Sequence, residues 1–303
     1  MGLLNERVPV SGEDDLAKLA GSFNSMAASI QQQIGQLEQM SRLQKRFVSD
    51  VSHELRTPLT TVRMAADVLY ESRDQYTGET ARAAELLSTQ IERFETLLSQ
   101  LLEISRFDAG AADLILTNIN IRDLIEKTAD SLSNLLVKQA TPVFITGSAP
   151  NIDLDQRRIE RVLRNLISNA SEYGEGKPIE VEIGSDDDAI AVVVKDQGAG
   201  LKPGESSLIF NRFWRADPAR ARTTGGTGLG LAIALEDARL HSGWLDAWGS
   251  PGKGTMFRLT LPKNFDKSLN KSPLSIGMGD EEKVALDMTA LQELLMSDQK
   301  KKN

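Results

Sequence analysis

The 303-residue sequence contains no cysteine. Disulfide frameworks and thiolate metal sites are excluded, and the absence fits a reducing compartment. No apolar run approaches the roughly 20 residues needed to cross a bilayer. The opening Met1-Gly2-Leu3-Leu4 runs at once into Asn5, Glu6 and Arg7, unlike a secretory signal. A basic surplus is also missing: 35 Lys and Arg stand against 43 Asp and Glu, a formal net charge of -8. Duplex DNA is bound through counterion release by basic surfaces, so no nucleic-acid partner is expected. Histidine is scarce, with only His53 and His241, and no internal repeat is visible. What is present, 40% hydrophobic and 26% charged residues, suffices for two ordinary domains.

From Leu16 to about Leu69 the apolar residues recur at helical spacing. Leu16, Leu19, Phe23, Met26, Ile30, Leu37 and Met40 form a seam interrupted by Gln33, which continues in a shifted register through Val48, Val51, Leu55, Leu59, Val62 and Leu69. After a polar break at Ser72–Gly78, a second helix carries Leu86, Leu87, Ile91, Phe94, Leu97, Leu98, Leu101 and Ile104. Two such helices make a hairpin, and a second copy would bury its seam in a dimeric four-helix bundle. Beyond Phe107–Gly110 the period changes. Strand-like stretches at Leu114–Ile119, Val143–Thr146, Ile179–Ile183, Ala189–Val194 and Met256–Leu261 alternate with helical patterns at Ile121–Lys138, Gln156–Tyr173 and Leu229–His241. That mixture predicts a sheet with helices on one face. Residues 264–303 read as a mostly disordered tail, with one weak helix at Glu281–Leu295.

His53 falls in mid-helix within Ser52-His53-Glu54-Leu55-Arg56-Thr57-Pro58-Leu59. With Val48, Val51 and Leu55 on the seam, the imidazole is expected to face outward, within reach of a donor. An isolated surface histidine would mean little. Glu54 beside it can take the N–H proton as the other ring nitrogen attacks phosphorus. Thr57, one turn on, can orient a water, and Pro58 should kink the helix. Singly, these are also a surface charge, a neutral helix residue and a bend. As a set, Phe47 through Leu59 resembles the phospho-acceptor box of two-component sensor histidine kinases. The resemblance implies that His53 is phosphorylated, that Glu54 accepts its proton and that Thr57 assists a phosphatase reaction.

A second constellation lies a hundred residues on. Asn165 and Asn169 are four apart on one helix face, and amide oxygens suit Mg²⁺. Asp196-Gln197-Gly198-Ala199-Gly200 follows an apolar strand. A buried carboxylate there can accept from an exocyclic amine, and glycines admit close backbone approach. Gly225-Gly226-Thr227-Gly228-Leu229-Gly230-Leu231 leads into a helix and can present N–H groups to phosphates. It lacks the Gly-Lys-Ser/Thr of a P-loop. Taken one at a time these are surface amides, a tight turn and a flexible hinge. Together, in this order, they resemble the N, G1 and G2 boxes of the ATP-binding domain that histidine kinases share with Hsp90 chaperones and type II topoisomerases. Ile209–Phe213 resembles the F box, and Gly252–Thr255 the final glycine-threonine turn.

The resemblance implies that Asn169 holds Mg²⁺ and Asn165 lines the phosphate side. Asp196 and Tyr173 would meet the base end of ATP, with Gly198, Gly200, Gly226, Thr227, Gly228, Leu229, Gly230 and Thr255 shaping pocket and lid. Glu172 stands where Lys or Arg is frequent, and Lys177 is a candidate for the missing positive charge near the phosphates. His241, Arg212 and Arg215 are left to structural roles. The Gly174–Pro178 insert resembles that of actinobacterial sensor kinases.

Val8-Pro9-Val10, Gly12, Asp14-Asp15-Leu16, Leu19, Phe23-Asn24 and Met26 resemble the second half of a HAMP linker. The implied layout is a partial HAMP linker at 1–37, a dimerising phosphotransfer hairpin at 38–108, and an α/β sandwich ATP-binding domain at 109–263. The expected fold is therefore multi-domain, α then α+β. Also implied are a homodimer, a response regulator receiver domain as partner, and a place as the cytoplasmic portion of a membrane receptor, touching the membrane only through a part N-terminal to this sequence. Two other readings remain open at this point: an Hsp90- or topoisomerase-like ATPase dimer, and a non-catalytic signalling scaffold.

Overall fold

The seam beginning near Leu16 forms one helix, α1 (Asp15–Glu71), and the second apolar stretch forms α2 (Gly78–Asp108). The computed structural model describes residues 7–9, 15–109, 112–216, 226–264 and 269–277. Within α1 the side chains at 16, 17, 37, 38, 41, 42, 44–46, 48, 49, 52, 53 and 56 fall outside that description. The chain divides into two units, Met1–Ala112 and Asp113–Asn303.

In the helical unit a short 3₁₀ turn, Arg73–Gln75, occupies the polar break, and Arg73 stacks on the Tyr70 ring at 4.2 Å. Arg63 pairs with Glu95 between α1 and α2. Pro58 lies inside α1, which continues past it although proline cannot donate to the Glu54 carbonyl one turn back. Near the N-terminus, Val8 and Asn24 exchange two hydrogen bonds: Val8 N donates to Asn24 Oδ1 at 3.0 Å, and Asn24 Nδ2 donates to Val8 O at 2.8 Å.

The sheet unit begins with a two-stranded antiparallel ribbon of β1 (Thr117–Ile119) and β3 (Ile152–Leu154). The main sheet has the order β2-β4-β5-β7-β6. Its strands are β2 (Val143–Gly147), β4 (Ile179–Ser185), β5 (Ala189–Lys195), β6 (Trp244–Gly249) and β7 (Thr255–Pro262). Only β2 and β4 run parallel, and the chain between them includes α5 (Gln156–Tyr173), the crossover such a pair requires. The expected single helix at Ile121–Lys138 is two, α3 (Ile121–Ser131) and α4 (Ser133–Lys138), divided at Leu132. A four-residue helix, α6 (Glu205–Leu208), precedes α7 (Gly230–Leu240).

Alternation along the strands puts Val181, Ile183, Ile190, Val192, Val194, Phe257, Leu259 and Leu261 in one core with Leu163, Leu166 and Ile167 of α5. Helices thus cover one face, as the patterning predicts. The opposite face is not bare. Residues 269–277, part of the expected disordered tail, lie across it: Thr260 donates to Ser272 Oγ at 2.9 Å, and Arg258 donates to Leu274 O at 2.6 Å. Leu274 fills the space above Gly184, where a Cβ would meet it at 2.6 Å. Beneath this strap Ala191, Val193 and Thr260 are buried. The tail expectation is corrected for these residues, because two polar anchors and one leucine dock a segment whose composition alone is too sparse to fold. The weak helix expected at Glu281–Leu295 lies outside the described residues.

Candidate functional site

Asp155 caps α5 by accepting from Arg158 N, and the helix then carries Asn165, Asn169 and Tyr173 along one edge. At one end of that edge Asn165 Nδ2 donates to Gly230 O at 3.0 Å, the first residue of α7. At the other end the loop after β5 closes on Tyr173. A Cβ on Gly198 would stand 1.8 Å from Tyr173 O, so only glycine fits there. Eight residues of helix separate the two ends, about 12 Å. Asn169 lies between them, half-buried and with no hydrogen bond to its side chain among the described residues.

Asp196 is buried at the Tyr173 end. Its Oδ1 accepts from Gly198 N at 2.9 Å and from Thr255 N at 3.2 Å. Burial pushes its carboxyl above the usual range, against these hydrogen bonds and the charge of Lys177. The turn at residues 252–255 thus meets the Asp196 loop, and Gly200 packs against the Ser250 carbonyl beside the same turn.

At the Asn165 end Gly228 takes φ +73 and lets its carbonyl accept from Phe213 N at 2.9 Å. Leu229 is buried, and its N–H donates to Thr227 Oγ1 at 3.2 Å. No side chain caps α7. Its first-turn N–H groups are therefore the field of a helix N-terminus, fit for an anion. Arg215 donates to the Gly226 carbonyl, so this arginine holds the glycine loop. The sequence left Arg215 to a structural role, and holding the loop is one.

Lys177 is the clearest displacement from expectation. Its Nζ donates to Gln197 O at 2.9 Å and pairs with Glu175 at 3.3 Å. That is the Asp196 end of the edge, far from Gly230, so Lys177 does not supply charge at the glycine-loop end. Glu172 is half-buried near the end of α5. His241 keeps the structural role expected of it: its Nε2 accepts from Asp155 N at 3.0 Å. Burial lowers its pKa. Arg158, Arg161 and Asp237, which no motif singled out, surround it.

In the helical unit His53, Glu54 and Thr57 all belong to α1. Glu54 and Thr57 are exposed. The outward direction expected for His53 concerns a side chain outside the described set.

Three families match the sequence: the HAMP domain over residues 2–32, the His Kinase A (phospho-acceptor) domain over 43–110, and the histidine kinase-, DNA gyrase B-, and HSP90-like ATPase over 154–264. The sensor histidine kinase MtrB of Mycobacterium tuberculosis is 51% identical over 275 residues, covering 90% of this chain and 48% of that protein. The signal transduction histidine-protein kinase AfsQ2 of Streptomyces coelicolor is 35% identical over 274 residues, 87% of this chain and 50% of that one. A crystal structure of full-length ShkA in complex with AMPPNP shares the fold with a TM-score of 0.63 and 25% identity, covering 76% of this chain and 47% of that one. The chain spans about half the length of the curated relatives it matches. A phospho-acceptor domain match followed by an ATPase domain match, in a sequence 51% identical to MtrB over 275 residues, makes this chain a member of the sensor histidine kinase family.

Proposed function

We propose that this chain uses ATP to phosphorylate His53 and passes the phosphoryl group to an aspartate of a response regulator. The observation that carries the reading is the α5 edge. A buried carboxylate, Asp196, lies at one end and an uncapped, glycine-led helix N-terminus at the other, with the Asn169 side chain unbonded among the described residues between them. The span of about 12 Å suits a nucleoside triphosphate laid lengthwise. Asp196 accepts from the exocyclic amine of adenine, with Tyr173 beside it and Lys177 closing the same end. The N–H groups around residues 228–230 receive the phosphates. The donor set also fits Mg²⁺, a hard cation that takes amide and phosphate oxygens. Asn169 would hold it, with Asn165 lining the phosphate side, and when bound it would offset phosphate charge.

In the reaction the N–P bond forms at one ring nitrogen of His53 and the bond to the leaving ADP oxygen breaks. Glu54 takes the proton from the other nitrogen. Thr57 then serves hydrolysis of the phosphorylated regulator by orienting a water. A homodimer through the hairpin is supported by apolar side chains left in solvent, Phe94, Leu101 and Val62 among them. The HAMP match at residues 2–32 supports a place on the cytoplasmic side of a membrane receptor.

Incubation with γ-labelled ATP tests the assignment. Acid-labile label is expected on the unsubstituted chain and at background in His53→Gln, which should still bind nucleotide. Label that survives in His53→Gln would sink it, and ATP hydrolysis without any labelling would favour an Hsp90-like ATPase.

A further inference from the structure

A second cluster of buried titratable groups lies outside the pocket, where the start of α5 meets the end of α7. Asp237 is fully buried, and His241 is 1% exposed. Arg161 grips the Asp237 carboxylate with two bonds, Nε to Oδ2 at 2.7 Å and a terminal nitrogen to Oδ1 at 2.8 Å. Arg158 adds a third at 3.1 Å. The His241 ring closes the circuit. Because Asp155 N–H donates to Nε2, the ring proton sits on Nδ1, which donates to Asp237 O at 2.7 Å. Two further bonds reach the chain entering the unit: Arg158 donates to Asp113 O at 3.2 Å, and Ile115 N donates to Asp155 Oδ2 at 3.0 Å.

The two helices run antiparallel, held at one end by this cluster and at the other by Asn165 and Gly230. Seven residues separate Arg158 from Asn165, and seven separate Gly230 from Asp237. Both contacts therefore sit at one axial register, about 10 Å apart. Between them α7 buries Ala232 and Ala234 beside Ile233, with Ala238 just past Asp237. Small side chains raise low ridges and resist sliding weakly. A bidentate ion pair is directional where apolar packing is not. A buried ion pair adds little net stability over an apolar replacement, and its best-attested role is to fix register.

We propose that Arg158, Arg161 and Asp237 are positioning residues that set the register of α7 on α5, holding Gly228 and Gly230 at the height of Asn165 and Asn169, and that the same cluster pins residues 113–115 where the chain arrives from the hairpin. The proposal rests on the reading of the α5 edge as an ATP site. It makes pocket geometry depend on a cluster that touches no nucleotide.

The test uses the whole chain carrying Arg158→Met, Arg161→Met and Asp237→Leu together, so that both Asp237 and its arginines are removed, while Asp155 keeps its backbone donors Ile115 N and Arg158 N. Its unfolding midpoint should stay close to that of the unsubstituted chain. Its Kd for Mg·ATP should rise about tenfold, the scale on which residues without ligand contact modulate a site. KM for ATP in self-phosphorylation should rise with it, kcat changing less. Amide exchange should quicken at residues 226–233 and 113–115. A folded triple variant with unchanged Kd and unchanged exchange would overturn the proposal. Arg161→Gln, at the more exposed edge of the cluster, should move exchange in the same direction by less; it decides the matter if the triple variant does not fold, and unchanged exchange there counts against the proposal. Should the unsubstituted chain fail to bind ATP, the functional reading falls, while the exchange comparison still decides the positioning role.

Discussion

Burial is distributed in opposite ways in the two units. The helical unit buries mostly alanine: Ala27, Ala66, Ala84 and Ala109, with Ile91 and Ile104 the large exceptions among the described residues. Its Phe94 is 56% exposed, and Leu101 and Val62 stand out beside it. The sheet unit instead encloses Leu163, Leu166, Ile167, Ile190 and Ile233 almost completely. One unit carries its own core, whereas the other leaves an apolar stripe in solvent, the face through which we propose that it dimerises. The sharpest way to break this contrast is Phe94→Glu with Leu101→Glu. Sedimentation should show a monomer, and the helical unit's thermal transition should be lost while that of the sheet unit stays. A chain that remained dimeric with both transitions unmoved would end the comparison.

The converse substitution, Leu163→Ala, should cost the sheet unit about 3 kcal/mol, as large-to-small changes at sealed positions do. Denaturant unfolding followed by tryptophan fluorescence reads it directly, since Trp214, Trp244 and Trp248 all belong to that unit. The helical unit's transition should not shift. A smaller loss, about 2 kcal/mol, is expected of a chain ending at Asn264, the scale of one buried leucine. Without Leu274 and Ser272, the face bearing Ala191, Val193 and Thr260 opens to water. An unchanged midpoint would show that the strap merely rests on the sheet.

Legibility followed burial as well. Gln156–Tyr173 was readable to the residue, because a fully periodic helix with an aspartate cap states both its face and its start. The β6 strand Trp244–Gly249 was not read, since its half-exposed alternation includes two glycine-flanked tryptophans and no long apolar run. Ile152–Leu154 was too short to announce itself. The residues proposed for the nucleotide site were singled out through glycines and amides in a recurrent order, which is a pattern of kinds rather than of periodicity. Lys177 was misplaced for a related reason. Charge alone assigned it to phosphate, whereas its position past the end of α5 ties it to Gln197. Asp237 left a trace that went unread: it shares the buried stripe of Ile233 and His241, where a carboxylate must have a buried partner.

The smallest effect separates the units by pH. His241 is buried with Asp237, Asp155 and Arg158 around it, and burial chiefly lowers its pKa from an unperturbed value of about 6.5. Its neutral ring accepts from Asp155 N, which an imidazolium could not do. A folded-state pKa below the unfolded one contributes stability that is fully present above about 6.5 and is lost as pH falls through the folded value. Asp196 and Asp237 act with the opposite sign, since burial raises both; their contribution is lost as pH rises through the raised values. Thermal midpoints of the sheet unit, taken from pH 7 to 5 in the unsubstituted chain and in His241→Gln, separate the two trends because both carboxyls persist in the variant. The difference between the curves should shrink toward acid, where the histidine's advantage is lost. A difference independent of pH would mean that the ring stays neutral throughout, and that the joint between α5 and α7 is indifferent to protons.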